Sequence, residues 1–288
     1  MSTAAEATTR KARPVRERSW PTYLALTLLA VFFLFPLVMM LASAFKQDAA
    51  ILPDSNSLKA FIPNPFDGTN FQDAADRADM WILARNSAII SIVTVIAGLA
   101  VNSTFGYALA RLPFKMSKPL LLGVIALTII PFQAVAIPLL FLVSELGWRD
   151  TLYVQMLPFI ASPLFTYLFY SFFLAIPTEI EEAARIDGCG PVRTFWQVVL
   201  PLAKPAFATV GILQFLQIWG EYLWPVLVTT DSSVRPLPVG IAVFYTQPPI
   251  SWGDIMAYAT LTVVPMIVVF ILFQRWFIQS VARSGLKG

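Results

Sequence analysis

The chain has 288 residues, 57% hydrophobic and only 13% charged, with a net charge of +3 and a mean hydropathy of +0.70. Soluble domains are about one quarter charged and under half apolar, so this balance belongs to a chain dissolved in lipid. With no histidine and a single cysteine, Cys189, the sequence excludes histidine proton relays, Ser-His triads, nearly every zinc site and an internal disulfide.

Residues 1–19 form a polar tail carrying Arg10, Lys11, Arg13, Arg16 and Arg18, read as a disordered cytoplasmic extension. Six apolar stretches follow, at 21–45, 86–110, 119–143, 151–175, 206–229 and 255–279. Each exceeds the roughly 20 helical residues that cross a hydrocarbon layer. The expected fold class is therefore all-α: a polytopic membrane protein with six transmembrane helices in one domain over 20–288. Pro36, Pro131, Pro138, Pro158, Pro163, Pro225 and Pro265 fall inside these stretches and predict kinks, which a helix bundle tolerates when neighbours satisfy the freed carbonyls. The first stretch has a rival reading as a signal peptide ending at Ala42-Ser43-Ala44, although its apolar run exceeds the usual ~7–15 residues.

Lysine and arginine set the sidedness. With the first residue inside, fourteen fall on the inner side and six on the outer, where ten acids also collect. This bias predicts both termini in the cytoplasm. The outer segment 46–85, with Pro53, Pro63 and Pro65, reads as an irregular surface loop with a short helix at 71–80. The proline-rich segment 231–254 reads as a second outer loop.

The inner connection 176–205 is far longer than the eight-residue link 111–118. Thr178 with Glu181 three residues on has capping-box spacing. Glu179, Glu181 and Glu182 occupy the first turn, where the helix dipole favours negative charge. Ala183 and Ala184 are strong helix formers with almost no side chain, and Gly188 and Gly190-Pro191 break the helix. An amphipathic piece at 192–199 then ends at Leu200-Pro201. Two short helices at a sharp turn are expected. Their small face suits close approach by a protein; the alternative is an interfacial helix resting on lipid, which usually carries many lysines and arginines rather than three glutamates.

At this loop the chain resembles a known family. Glu182-Ala183-Ala184-x-x-Asp187-Gly188, then Leu200-Pro201-Leu202 and Pro205, is similar to the E-A-A loop of ABC importer permeases. Leu146-Gly147-Trp148, Trp219-Gly220-Glu221-Tyr222-Leu223-Trp224-Pro225, Leu237-Pro238-Val239-Gly240 and Gly285-Leu286-Lys287-Gly288 resemble its carbohydrate-uptake branch, of the maltose or glycerol-3-phosphate type. The resemblance implies the type I permease fold of an ABC importer, in a bacterial or archaeal inner membrane. It implies as partners a dimer of cytoplasmic ATPase subunits, a second and different permease subunit, an extracytoplasmic solute-binding protein and the surrounding lipid. By match, Glu182, Ala183, Ala184, Asp187 and Gly188 carry the contact to the ATPase, and Pro201 sets the exit of the loop. Cys189 and Gly220 depart from the family's usual residues.

Ionisable and amide side chains inside spans mark candidate pathway residues. These are Glu221, Gln214 and Gln217 in the fifth stretch, with Gln217 and Glu221 four apart on one helix face, Asn102 and Tyr107 in the second, and Gln133 in the third. Their alternative role is hydrogen bonding between helices. Trp219, Tyr222 and Trp224 suit stacking against sugar rings, or equally an interfacial aromatic belt. An ion-coupled secondary transporter is the rival function, but a single off-centre glutamate gives it little to work with. No paired acids, metal cluster, activated nucleophile or phosphate-binding glycine loop is present. Neither a catalytic site nor a cofactor is therefore expected, and ATP is expected to be hydrolysed by another chain. The basic tail reads as a topology signal with no nucleic-acid role.

Overall fold

Helix α1 (Trp20–Ala44) is apolar on every side and exposed almost to its end, where Ser43 and Ala44 become buried. A helix of this kind is stable only when lipid or another protein surface covers it. This computed structural model describes residues 20–285, and side chains through 276. The basic tail 1–19 and residues 286–288, hence most of the terminal glycine-leucine-lysine-glycine motif, lie outside the described residues.

The segment 46–85 is largely helical rather than irregular. It contains α2 (Asp48–Asp54), a 3-10 turn (Leu58–Phe61) and α3 (Thr69–Arg77). The short helix expected at 71–80 starts two residues earlier and ends three residues earlier, because Asp79 takes a left-handed conformation (φ 48°) that separates it from α4 (Met80–Arg111). Lys46, 1% exposed, anchors this region through Asp54 at 2.8 Å and the Lys59 carbonyl at 2.6 Å.

Prolines break the remaining stretches. Helices α5 (Ser117–Thr128) and α6 (Phe132–Glu145) meet at 99°, so 119–143 is not one straight span. Pro131 has no N–H to continue the ladder. Helices α7 (Leu152–Ile160) and α8 (Pro163–Leu174) meet at 41° across Ala161 and Ser162. The loop end holds α9 (Thr178–Ile186), α10 (Pro191–Thr194), a five-residue π turn (Phe195–Val199) and α11 (Leu200–Leu202). Helix α12 (Lys204–Trp219) then stops, and α13 (Leu223–Val228) resumes. Pro225 cannot donate to the Glu221 carbonyl, so the stretch 206–229 is two helices. Gln217 and Glu221 consequently do not share one helix face.

Beyond a 3-10 turn (Ser232–Val234), α14 (Leu237–Gly240) and α15 (Val243–Thr246) are no surface loop: Leu237 and Phe244 are essentially fully buried. Helix α16 (Trp252–Gly285) closes the described chain. Among the described residues, α1, α4 and the Trp252–Trp276 part of α16 are long and apolar enough to cross a membrane. Three bent pairs raise the number to six if each is one span.

Helix α4 is central, packing against α7, α8 and α12, while α1 packs against α16. Close approach is possible because small residues recur on α4. A Cβ at Gly106 would stand 2.9 Å from the Thr166 carbonyl oxygen, and one at Gly98 would overlap the Gln214 amide. In lipid, where no hydrophobic effect draws helices together, such backbone proximity is what dispersion requires.

The tertiary contacts sort the charged residues to two ends. At one end Arg77 pairs with Asp254 at 2.6 Å, Asn86 donates to the Ser233 and Arg235 carbonyls, and Asp150 accepts from Thr230 Oγ1 at 2.7 Å. At the other, Arg111 meets α9.

Candidate functional site

The loop after α8 turns back at Ile176-Pro177, and Pro177 rather than Thr178 stands at the N-cap of α9, without a side-chain cap. The capping box read from Thr178 and Glu181 does not form. Glu181 instead turns inward, 4% exposed, against the last turn of α4. Its Oε1 lies 3.1 Å from Arg111 Nε, and its Oε2 accepts from the Tyr107 hydroxyl at 3.1 Å. The Arg111 N–H is not aimed along that contact for a hydrogen bond, so charge rather than a directed bond holds the pair. A buried countercharge outweighs a solvent-exposed N-cap bond, since an unpaired arginine at this depth costs several kcal/mol. Arg111 also donates to the Phe173 and Ile176 carbonyls.

Turning Glu181 inward fixes which side of α9 faces out. Glu182, Ala183, Ile186 (87% exposed), Asp187 and Gly188 are exposed, while Ala184 is buried. The two alanines thus divide: Ala183 belongs to the outer face and Ala184 to the packing beneath. Gly188 (φ +81°) ends the helix in a Schellman motif, its own N–H donating to the Arg185 carbonyl and the Cys189 N–H to Ala184. That left-handed position favours glycine. Val192 and Trp196, 73% and 57% exposed, extend an apolar rim beside the acids. Pro201 is exposed in α11, immediately before the chain turns by 79° into α12.

Inside the bundle, several candidate pathway residues are committed to holding helices. Asn102, fully buried, donates to the Gly98 and Ile160 carbonyls at 2.7 and 2.9 Å and accepts from Ser162 N–H and Thr166 Oγ1, both at 2.9 Å. It thereby splints the α7–α8 break. Gln214 donates to the Thr94 and Phe159 carbonyls, at 3.3 and 3.0 Å, and is fully buried. Trp219 donates to the Thr262 carbonyl at 3.0 Å, and Trp224 to Val154 at 2.8 Å. Both are buried in the bundle rather than arrayed in an interfacial belt, whereas Tyr222 is exposed.

Gln217 differs. It is exposed and lines a cleft of about 330 Å³ with Thr128, Phe132, Phe159, Ser162 and Leu164. The cleft lies between the two bent helix pairs, so the breaks at Pro131 and Ser162 create it. Gln133 is exposed on α6 next to Phe132. Glu221 sits at the α12–α13 break, where its Oε1 accepts from Trp224 N–H at 3.0 Å, and it lines a small enclosed void with Gln155 and Ser87. Among the described residues no group of three or more acids or cysteines is placed to hold a metal ion.

Sequence reasoning missed Arg111, read only as a topology signal, and the role of Glu181. Beside the amide of Asn102, the signal for the α4 interface was Gly98 and Gly106, small residues two turns apart on the same face.

Residues 102–283 match the family described as binding-protein-dependent transport system inner membrane component. The chain is similar to the arabinooligosaccharides transport system permease protein AraQ of Halalkalibacterium halodurans, 33% identical over 280 residues, covering 97% of this chain and 99% of that protein. It is also similar to the sn-glycerol-3-phosphate transport system permease protein UgpE of Yersinia pestis, 30% identical, covering 88% and 92%. The trehalose/maltose transport system permease protein MalG of Thermococcus litoralis is 28% identical, covering 91% and 94%. Among solved structures, a chain from a bacterial ABC transporter involved in the import of the acidic polysaccharide alginate has the same fold. Its TM-score is 0.79 at 20% identity, covering 90% of this chain and 95% of that one.

Proposed function

The chain belongs to the family of binding-protein-dependent transport system inner membrane components, and from that premise we propose that it imports a sugar or sugar-like solute. As a member it is a multi-pass permease subunit of an ABC importer, not an enzyme, working with a separate ATPase and a solute-binding protein. This membership sets aside the ion-coupled carrier. The carbohydrate class rests on the transport functions for which AraQ, UgpE and MalG are named.

The α9 end faces the cytoplasm, in keeping with the bias of lysine and arginine, in a bacterial or archaeal inner membrane. Glu182, Ala183, Asp187 and Gly188 dock in a cleft of a dimeric ATPase, with Ala184 supporting them from beneath and Pro201 fixing the exit. A second, different permease chain completes the solute path, and lipid surrounds α1. The cleft carrying Gln217 is the part of that path contributed by this chain. Asn102 and Gln214 shape it from behind through their hydrogen bonds to Ile160, Ser162 and Phe159, and Trp219 ties α12 to α16. Gln133 neighbours Phe132 of the cleft wall, and Glu221 lies at the α12–α13 break beside a separate small void.

The observation that carries this reading is the outward face of α9, apolar and acidic at the tip of an otherwise compact loop. The test is co-purification from solubilised membranes, comparing the unaltered chain with Glu182→Lys and assaying ATPase activity in the eluate. An ATPase that co-elutes with the former and is lost from the latter is the expected result. An unaltered chain that elutes with neither ATPase nor second permease would overturn the reading.

A further inference from the structure

Helix α9 has only two buried residues, Glu181 and Ala184. Ala184 offers a methyl group; Glu181 offers the one strong tie. Its partner Arg111 is the last residue of α4, and the same guanidinium donates to the Phe173 and Ile176 carbonyls at the end of α8. Helix C-termini carry partial negative charge, so one cation neutralises two helix ends and a carboxylate together. Tyr107, one turn up α4, adds its hydroxyl to Glu181 and packs its ring on Phe173 and Phe195.

We infer that Glu181, Arg111 and Tyr107 form a positioning knot that makes α9 move as one body with α4 and α8, so that displacement of the docking face reaches the cleft. The path onward is continuous. From Arg111 the α4–α8 contact runs through Gly106, which touches the backbone of α8 at Thr166 and Tyr170. Asn102 then clamps Ile160 and Ser162, and Ser162 lines the cleft. Without the knot, α9 would keep the covalent chain at Pro177, the small Ala184 contact and its packing on α10 and the π turn, and movement would be absorbed there. A contiguous path becomes a mechanism only when both ends report on it.

This inference rests on reading α9 as the ATPase-facing helix, and the experiment separates the two. The complete importer, carrying Gln217→Cys in a Cys189→Ser background, is reconstituted and labelled with a water-soluble maleimide, with and without vanadate-trapped MgADP. The labelling rate at position 217 is expected to change at least fivefold on trapping. With Glu181→Gln added, the ATPase still co-elutes and still hydrolyses ATP, but the change falls below twofold. A fivefold change that survives Glu181→Gln, with the ATPase bound, overturns the knot and leaves the docking reading standing. Failure of the ATPase to co-elute with the parent chain overturns the docking reading itself. If Glu181→Gln does not assemble, Tyr107→Phe decides, since it keeps the ring and removes only the hydroxyl. A labelling response at least halved supports the knot, and an unchanged one sinks it.

Discussion

Replacing Gly106 by alanine should loosen the bundle where α4 lies against the backbone of α8. The new Cβ would lie 2.9 Å from Phe169 Cβ and from the Thr166 carbonyl oxygen, and 3.0 Å from Tyr170 N. Comfortable contact begins near 3.5 Å. Two of the three atoms are backbone, so no rotamer change relieves the clash and α8 must retreat by about half an ångström. Overpacking of this kind costs about 1–3 kcal/mol. Alanine in place of glycine returns about 1 kcal/mol of helix propensity, which leaves a net loss of up to about 2 kcal/mol. For a chain of this size that is a melting-temperature drop of up to about 8 °C. Gly211→Ala is the matched control: on α12 the nearest atom to its Cβ is Leu99 Cδ1 at 3.6 Å. There only the propensity gain remains, a rise of about 2–4 °C. Thermal unfolding followed by tryptophan fluorescence in a single detergent compares the two. Gly106→Ala is expected to melt below Gly211→Ala and no higher than the unaltered chain; a Gly106→Ala chain as stable as Gly211→Ala would refute the packing argument.

Three further outcomes follow from the same contacts. Asn102→Ala removes three hydrogen bonds at the α7–α8 break and one to Gly98 within α4, and at about 0.6 kcal/mol per interhelical bond should cost about 2 kcal/mol, read as an earlier thermal transition. Ala184→Leu should destabilise by about 1–3 kcal/mol by overpacking, whereas Ala183→Leu, on the exposed face, should leave stability within about 0.5 kcal/mol and remove the co-eluting ATPase; the same two measurements on both variants check the division. Asp150, whose carboxylate accepts foremost from the Asp231 N–H and then from Thr230, is held below the ordinary carboxyl value of 3.8. A lowered value means the bonds contribute above that pH and are lost as pH falls through the folded value. Hydrogen exchange at the Thr230 and Asp231 amides, corrected for intrinsic rates, should therefore lose protection on acidification below about 3.8, and Asp150→Asn should abolish that dependence.

Much of this molecule is legible in its order of residues, because the signals are local. Apolar runs of helical length mark α1, α4 and α16. Gly188 marks the end of α9, since the turn there takes a left-handed residue. The sorting of lysine and arginine between two ends matches the contacts of Arg77, Asp150 and Arg111. Proline also announces where helices break, at Pro131 and Pro225. It does not announce by how much: the 99° and 41° bends depend on which distant groups satisfy the freed carbonyls, as Asn102 does for Ile160.

The remainder belongs to the tertiary structure for the same reason. Glu181 has a capping-box spacing in the chain, yet a buried cation 70 positions away, Arg111, claims it. That choice, a countercharge in a dry site over an N–H in water, turns Ala184 inward and Ala183 outward. Gln214, Gln217 and Glu221 look equivalent as polar residues in one apolar stretch. Only the break after Trp219 and the bend at Ser162 commit the first to a buried hydrogen bond, the second to the cleft and the third to a helix cap. Local periodicity fixes which residues form helices; which side chains are free to act is decided by neighbours that the chain brings from far away.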